Sequence, residues 1–130
     1  MHELSIAHSL VELAAEAAEK AGANRVLEVR IVIGVLAGVS VDSLLFCYDI
    51  ATRDTLLEGS RLAVRELPLV IHCAVCARDV ELPGALRFTC PSCDTPSADI
   101  RQGREMQVEG IEIETPDEIA PPPAALESTL

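Results

Sequence analysis

The hydropathy pattern predicts an α+β protein: two helices on one face of a three-stranded sheet, with a small cysteine-bearing subdomain inserted before the last strand. Three observations carry this. Apolar residues recur every three or four positions in two stretches, as in helices with one buried face, and alternate in three others, as in strands with one buried face. Residues 68–100 show neither pattern and are short segments punctuated by Cys, Pro and Gly. The strand pattern then resumes at Glu105, which makes the intervening stretch an insertion.

The first helix spans residues 5–20, where Ile6, Leu10, Leu13 and Ala17 form one stripe and Glu12, Glu16 and Glu19 point largely away from it. Lys20 suits the last turn, and Gly22 the position just past the end. A strand follows at 27–33, with Leu27, Val29, Ile31 and Ile33 on one face. Gly34 and Gly38 bracket a turn, after which Ser40 caps a second helix with Asp42 in its first turn. That helix runs to about Thr52 and is expected to bury Leu44, Leu45, Tyr48 and Ala51. Gly59 precedes a second strand at 61–67, and Pro68 marks the boundary. In the third strand, 105–114, Met106 and Val108 share one parity while Ile111 and Ile113 share the other, so a bulge near Gly110 is needed to bring all four onto one face. From Thr115 the chain carries four prolines and no periodicity. The expected organisation is a lobe of residues 1–67 plus 101–114, a subdomain of residues 68–100, and a disordered tail at 115–130.

Composition narrows the function. The 130 residues are 49% apolar but only 2% aromatic, so the core must be built from Leu, Ile, Val and Ala. With 21 acids against 10 bases the net charge is −11, a surface that phosphate backbones and anionic membranes repel. No stretch approaches the length of a membrane span, and the start Met-His-Glu has no basic region ahead of an apolar one. A soluble cytoplasmic protein is expected, with neither nucleic acid nor membrane as its main partner.

Four of the five cysteines form two Cys-x-x-Cys pairs, Cys73 with Cys76 and Cys90 with Cys93, 13 residues apart. A reducing cytosol argues against disulfides, and a redox motif would not need the second pair. The spacing reads as a four-thiolate zinc site in a zinc ribbon, where metal binding replaces hydrophobic burial as the source of folding energy. Four protein ligands close the site to a catalytic water. His72 adjoins the first pair and could exchange with a thiolate as pH falls, although a surface histidine is the simpler reading. Cys47, within an apolar helix, reads as a small buried hydrophobe, and His8 as a partly exposed helix residue.

The N-terminus offers a second site. In Met1-His2-Glu3 the α-amine, the amide nitrogen of His2 and its imidazole can wrap one ion in fused small rings. Nitrogen donors in one plane suit Ni(II) or Cu(II). There is no Ser/His/Asp arrangement, Walker loop or dinucleotide fingerprint, so no enzymatic machinery is visible.

The opening Met1-His2-Glu3-Leu4-Ser5-Ile6 resembles that of the hydrogenase-maturation nickel metallochaperones, the HypA/HybF family. So do Ile33-Gly34 followed by Gly38-Val39, the helix Ser43-Leu44-Leu45-Phe46-Cys47-Tyr48, the twin Cys-x-x-Cys ribbon and the closing Ile111-Glu112-Ile113-Glu114. The resemblance runs from residue 1 to about 114, in order. It implies His2 as the principal nickel ligand, with the Met1 backbone amine and Glu3 contributing, and Cys73, Cys76, Cys90 and Cys93 as zinc ligands. Family members commonly carry an acid after the glycine at 34; Val35 stands here, and Asp42 is the candidate nearby carboxylate. Further implications are a nickel-handling maturation GTPase (HypB-like) and a hydrogenase large-subunit precursor as partners. The chain is expected to act as a monomer or a homodimer. The expected function is delivery of Ni2+ to a [NiFe]-hydrogenase precursor alongside structural Zn2+. The rival is a zinc-ribbon interaction adaptor without nickel chemistry.

Overall fold

A computed structural model describes residues 2–83, 87–116 and 124–129 of the chain, the last of these for the backbone. The elements follow in the order α1 (Glu3–Lys20), β1 (Arg25–Gly34), α2 (Val41–Ala51), β2 (Arg61–Leu67), β3 (Leu69–Cys73), β4 (Arg78–Leu82), β5 (Ile100–Gln102), β6 (Met106–Glu114) and β7 (Ala124–Thr129). They make two sheets, one of order β2-β1-β6-β7 and one of order β4-β3-β5.

α1 buries Ile6, Ala7, Leu10, Val11, Ala14 and Ala18. Leu13 and Ala17, expected in the centre of the stripe, are half-buried at its margin. The centre is instead lined by three alanines, whose small side chains let the helix approach its neighbours closely. The helix ends as anticipated: Gly22 adopts φ 72°, and the Ala23 amide donates back to the Ala18 carbonyl at 3.0 Å. In α2 the Ser40 hydroxyl accepts from the Ser43 amide at 3.3 Å, the expected cap. α2 buries Leu44, Tyr48 and Ala51, but Leu45 is exposed. Successive helix residues turn by about 100°, so Leu45 stands off the stripe that its neighbour occupies.

β1 is one of the two inner strands of the first sheet. It pairs with β2 in parallel from Glu28↔Arg61 to Gly34↔Leu67, and with β6 in antiparallel fashion. Arg30 faces Gly110 while Ile31 faces Val108, which leaves Glu109 as the extra residue of a bulge. The bulge has the effect expected of it: Val108, Ile111 and Ile113 are buried in one core, and Met106 packs against that core half-buried. On the opposite face Arg65 and Glu109 pair at 2.8 Å, and Arg30 and Glu28 at 3.1 Å.

Two expectations need correction. The sheet has four strands, because β7 pairs antiparallel with β6 from Gln107↔Thr129 to Ile111↔Ala124. Residues 124–129 are therefore not the disordered tail expected from composition; β6 otherwise presents an open edge, and a short extended segment can satisfy its backbone groups. Residues 117–123 and 130 lie outside the described residues. The ribbon sheet also reaches two residues past the expected limit at 100, since β5 pairs with β3 up to Val70↔Gln102.

Each sheet has its own core. The large one lies between α1, α2 and the first sheet; the small one consists of Leu69, Ile71, Cys73, Val80, Leu82 and Cys90. The two meet at a tight joint. The Gly34 amide donates to the Glu105 carbonyl and the Leu36 amide to the Gly103 carbonyl, both at 2.7 Å. Leu36, in a 3-10 turn at Val35–Ala37, packs against the ribbon core. A Cβ on Gly34 would overlap the Gly103 carbonyl and lie 2.6 Å from Glu105 Oε1, so only glycine fits.

Candidate metal centres

The ribbon brings Cys73, Cys76, Cys90 and Cys93 together, all four sulfurs lying within 4.8 Å of one another. Cys73 ends β3, and its sulfur accepts from the Cys76 amide at 3.4 Å. In the second knuckle the Asp94 amide donates to the Cys90 carbonyl at 2.8 Å. Ala77 and Asp94, each just after the second cysteine of its pair, adopt φ of 55° and 58°, a repeated turn that aims both pairs inward. Sulfur separations of 3.6 Å (Cys73–Cys93), 3.7 Å (Cys76–Cys93) and 3.9 Å (Cys76–Cys90) bracket the edge of about 3.8 Å that a zinc–sulfur tetrahedron requires. The donor set thus fits zinc in both chemistry and shape.

The sulfurs differ in proton affinity. The Thr95 hydroxyl and backbone amide face Cys93 and bring its thiol down to about 6. Hydrogen bonding with Cys93 and Cys73 instead pushes Cys76 up to about 12. A cation at the centre replaces the protons that the cluster would otherwise share. Thr95 is a functional neighbour that sequence reading missed; its position two residues after Cys93 was the available signal. His72 does not join the cluster. Its Nδ1 lies 2.8 Å from Asp79 Oδ1, across the β3–β4 pair.

The second candidate lies where α1 starts. His2 occupies the cap position of α1 without a side-chain cap bond, and its carbonyl accepts from the Ile6 amide at 3.2 Å. Its imidazole is therefore not committed to holding the helix end. Met1 lies outside the described residues. His2 and Glu3 line an open depression of about 680 Å³ together with Asp42, Ser43, Phe46 and Cys47 of α2. The packing of α1 on α2 thus sets the anticipated carboxylate, Asp42, on the same wall-lined space as His2. Cys47 lines this depression half-buried as well as packing against the core, a role that reading it as a buried hydrophobe missed. The signal was its spacing of four from Ser43 and five from Asp42. Among the described residues only the four cysteines converge closely; the donors of the depression surround open space. His8 is exposed and does not line it.

A small α+β lobe joined to a ribbon that gathers four cysteine sulfurs defines a protein with a four-thiolate metal-binding cluster. The family model described as "Hydrogenase/urease nickel incorporation, metallochaperone, hypA" matches residues 1–113, and the chain belongs to that family. It is 48% identical over 122 residues to the hydrogenase maturation factor HypA of Roseiflexus sp. (strain RS-1), covering 92% of this chain and 99% of that one. It is 44% identical over 116 residues to the factor of the same name from Chloroflexus aurantiacus (strain ATCC 29366 / DSM 635 / J-10-fl), covering 89% and 100%. The fold resembles the solution structure of the Ni metallochaperone HypA from Helicobacter pylori, with a TM-score of 0.60, 25% identity and coverage of 88% and 99%. Among the described residues no helix is long and apolar enough to cross a membrane.

Proposed function

We propose that this chain binds Ni(II) at its N-terminus and helps insert it into a [NiFe]-hydrogenase precursor, while zinc on Cys73, Cys76, Cys90 and Cys93 holds the ribbon in shape. The observation that carries the reading is that His2 and Glu3 line one open depression with Asp42, in a chain whose family is one of nickel metallochaperones. Nickel is cargo here. The α-amine of Met1, the amide and imidazole of His2, and a contribution from Glu3 supply donors in fused rings; Asp42 adds an anionic wall that favours a cation. An open, incomplete donor set holds the ion yet leaves positions through which an acceptor can take it. This requirement distinguishes a carrier from a storage cage, and no bond-making step is asked of the protein.

The partners are a nickel-handling maturation GTPase (HypB-like) and the hydrogenase large-subunit precursor, the setting is the cytoplasm, and the active unit is a monomer or a homodimer. A nickel titration of wild-type protein beside His2→Ala tests the reading. The variant is expected to bind nickel at least roughly tenfold more weakly while zinc content stays the same, given that metal sites lose affinity of this order when a ligand is disturbed. Equal nickel affinities would place the nickel site away from His2, and no nickel uptake by the wild type would favour the zinc-ribbon adaptor.

A further inference from the structure

Phe46 stands 68% exposed in a chain that has only two Phe, one Tyr and no Trp. Exposed large apolar side chains gather around it: Leu45 and Ile50 on the same helix, at 37% and 39%, and Leu4 at the start of α1, at 45%. Asp42, Phe46 and Ile50 follow one another at four-residue intervals, so they form one stripe on α2 that begins at the wall of the N-terminal depression. Leu4 and Phe46 line that depression together. None of these four apolar residues belongs to the core. Contiguous apolar surface of this kind, bordered by polar residues, marks a docking site, and an exposed aromatic is the usual anchor of one.

Charge specifies what docks. α2 carries Asp42 and Asp49 and no Lys or Arg from Val41 to Ala51, on a chain of net charge −11. A second copy would bring the same acids against these, which like-charge repulsion opposes. We infer that this face of α2 is the surface for a partner protein that presents an apolar side chain ringed by basic residues. Docked there, the partner covers the depression and brings its own ligands within reach of an ion held at His2, turning a bimolecular exchange into a local one. The inference rests on the nickel reading for the purpose of the contact, not for its existence.

The test uses the purified nickel-handling maturation GTPase as probe. Its binding to full-length wild type, to a Leu45→Gln/Ile50→Gln double variant, whose residues do not line the depression, and to Asp49→Lys is measured by calorimetry at low and high salt. The substituted side chains are exposed, so thermal melts should show all variants folded. The double variant is expected to bind roughly tenfold or more weakly. Asp49→Lys should bind more weakly at low salt and show a flatter salt dependence. Nickel affinity should be the same in all three proteins. Binding of the double variant at wild-type affinity overturns the inference. So does a loss of nickel affinity in the double variant, which would assign these residues to the metal site. Self-association of the wild type that the double variant abolishes, seen by light scattering, also overturns it by making the face a self-interface. Failure of the wild type to bind nickel would sink the metal reading alone and leave the docking comparison standing.

Discussion

Tyr48 is the largest fully buried side chain, and its phenol is hydrogen-bonded to the Ser60 hydroxyl. Burial pushes that phenol up to about 12, with the Ser60 bond pulling partly the other way. The fold thus favours the neutral form: its contribution is fully present below the ordinary value of about 10 and is lost as pH rises through 12. Tyr48→Phe is expected to lower stability at neutral pH by about 1 kcal/mol. It should also remove about 2–3 kcal/mol of alkaline destabilisation between pH 10 and 12. Urea unfolding of both proteins on either side of that window measures the difference, and parallel pH profiles would contradict the assignment. The spacing of Leu44, Tyr48 and Ala51 made the buried phenol legible in the sequence. Its partner was not, because Ser60 lies twelve residues away across a loop whose path depends on Asp54 and Gly59 at positive φ.

At the scale of elements, what was legible is what local periodicity encodes: both helices, the strands at 25–34, 61–67 and 106–114, and the bulge beside Gly110. What was not legible depends on distant backbone. β7 has no apolar alternation of its own and is recognisable only against the edge of β6. Removing residues after Pro116 takes away the edge pairing of β7 with β6. The melting temperature is expected to fall by only a few degrees, with increased self-association as β6 is uncovered. A fall of many degrees on calorimetry would mean that the segment is packed into the core. The joint between the sheets was equally hidden, since nothing in the string Ile33-Gly34-Val35 announces that Gly103 and Glu105 will press against it. Gly34→Ala should force the two chains apart, break the Gly34–Glu105 and Leu36–Gly103 hydrogen bonds, and destabilise by about 2–3 kcal/mol. Denaturant unfolding checks this, and an unchanged midpoint would show that the joint gives way without loss.

The whole molecule is two cores with different sources of stability. The core of the α/β lobe is aliphatic apart from Tyr48, whereas two of the six buried residues in the ribbon core are cysteines of the four-thiolate cluster. Chelation of zinc or Cys90→Ser is expected to unfold the ribbon and leave the lobe folded. Circular dichroism should keep its helical signal, since both helices belong to the lobe; its loss together with the zinc would contradict independent lobes. The four-thiolate centre was legible because its spacing is local. The surroundings of the proposed N-terminal site became visible only when α1 packed on α2 and set Asp42, Phe46 and Cys47 around the same depression as His2. The central claim is that His2 and the free N-terminus act together as the nickel site. It is tested most directly by nickel calorimetry on protein that starts at Met1 beside protein carrying one extra residue before it. The extension leaves every side chain in place but converts the α-amine into an amide and moves the charged terminus out of its chelate ring. Strong weakening of nickel binding with zinc retained is the expected result, and equal affinities in the two proteins would contradict the claim.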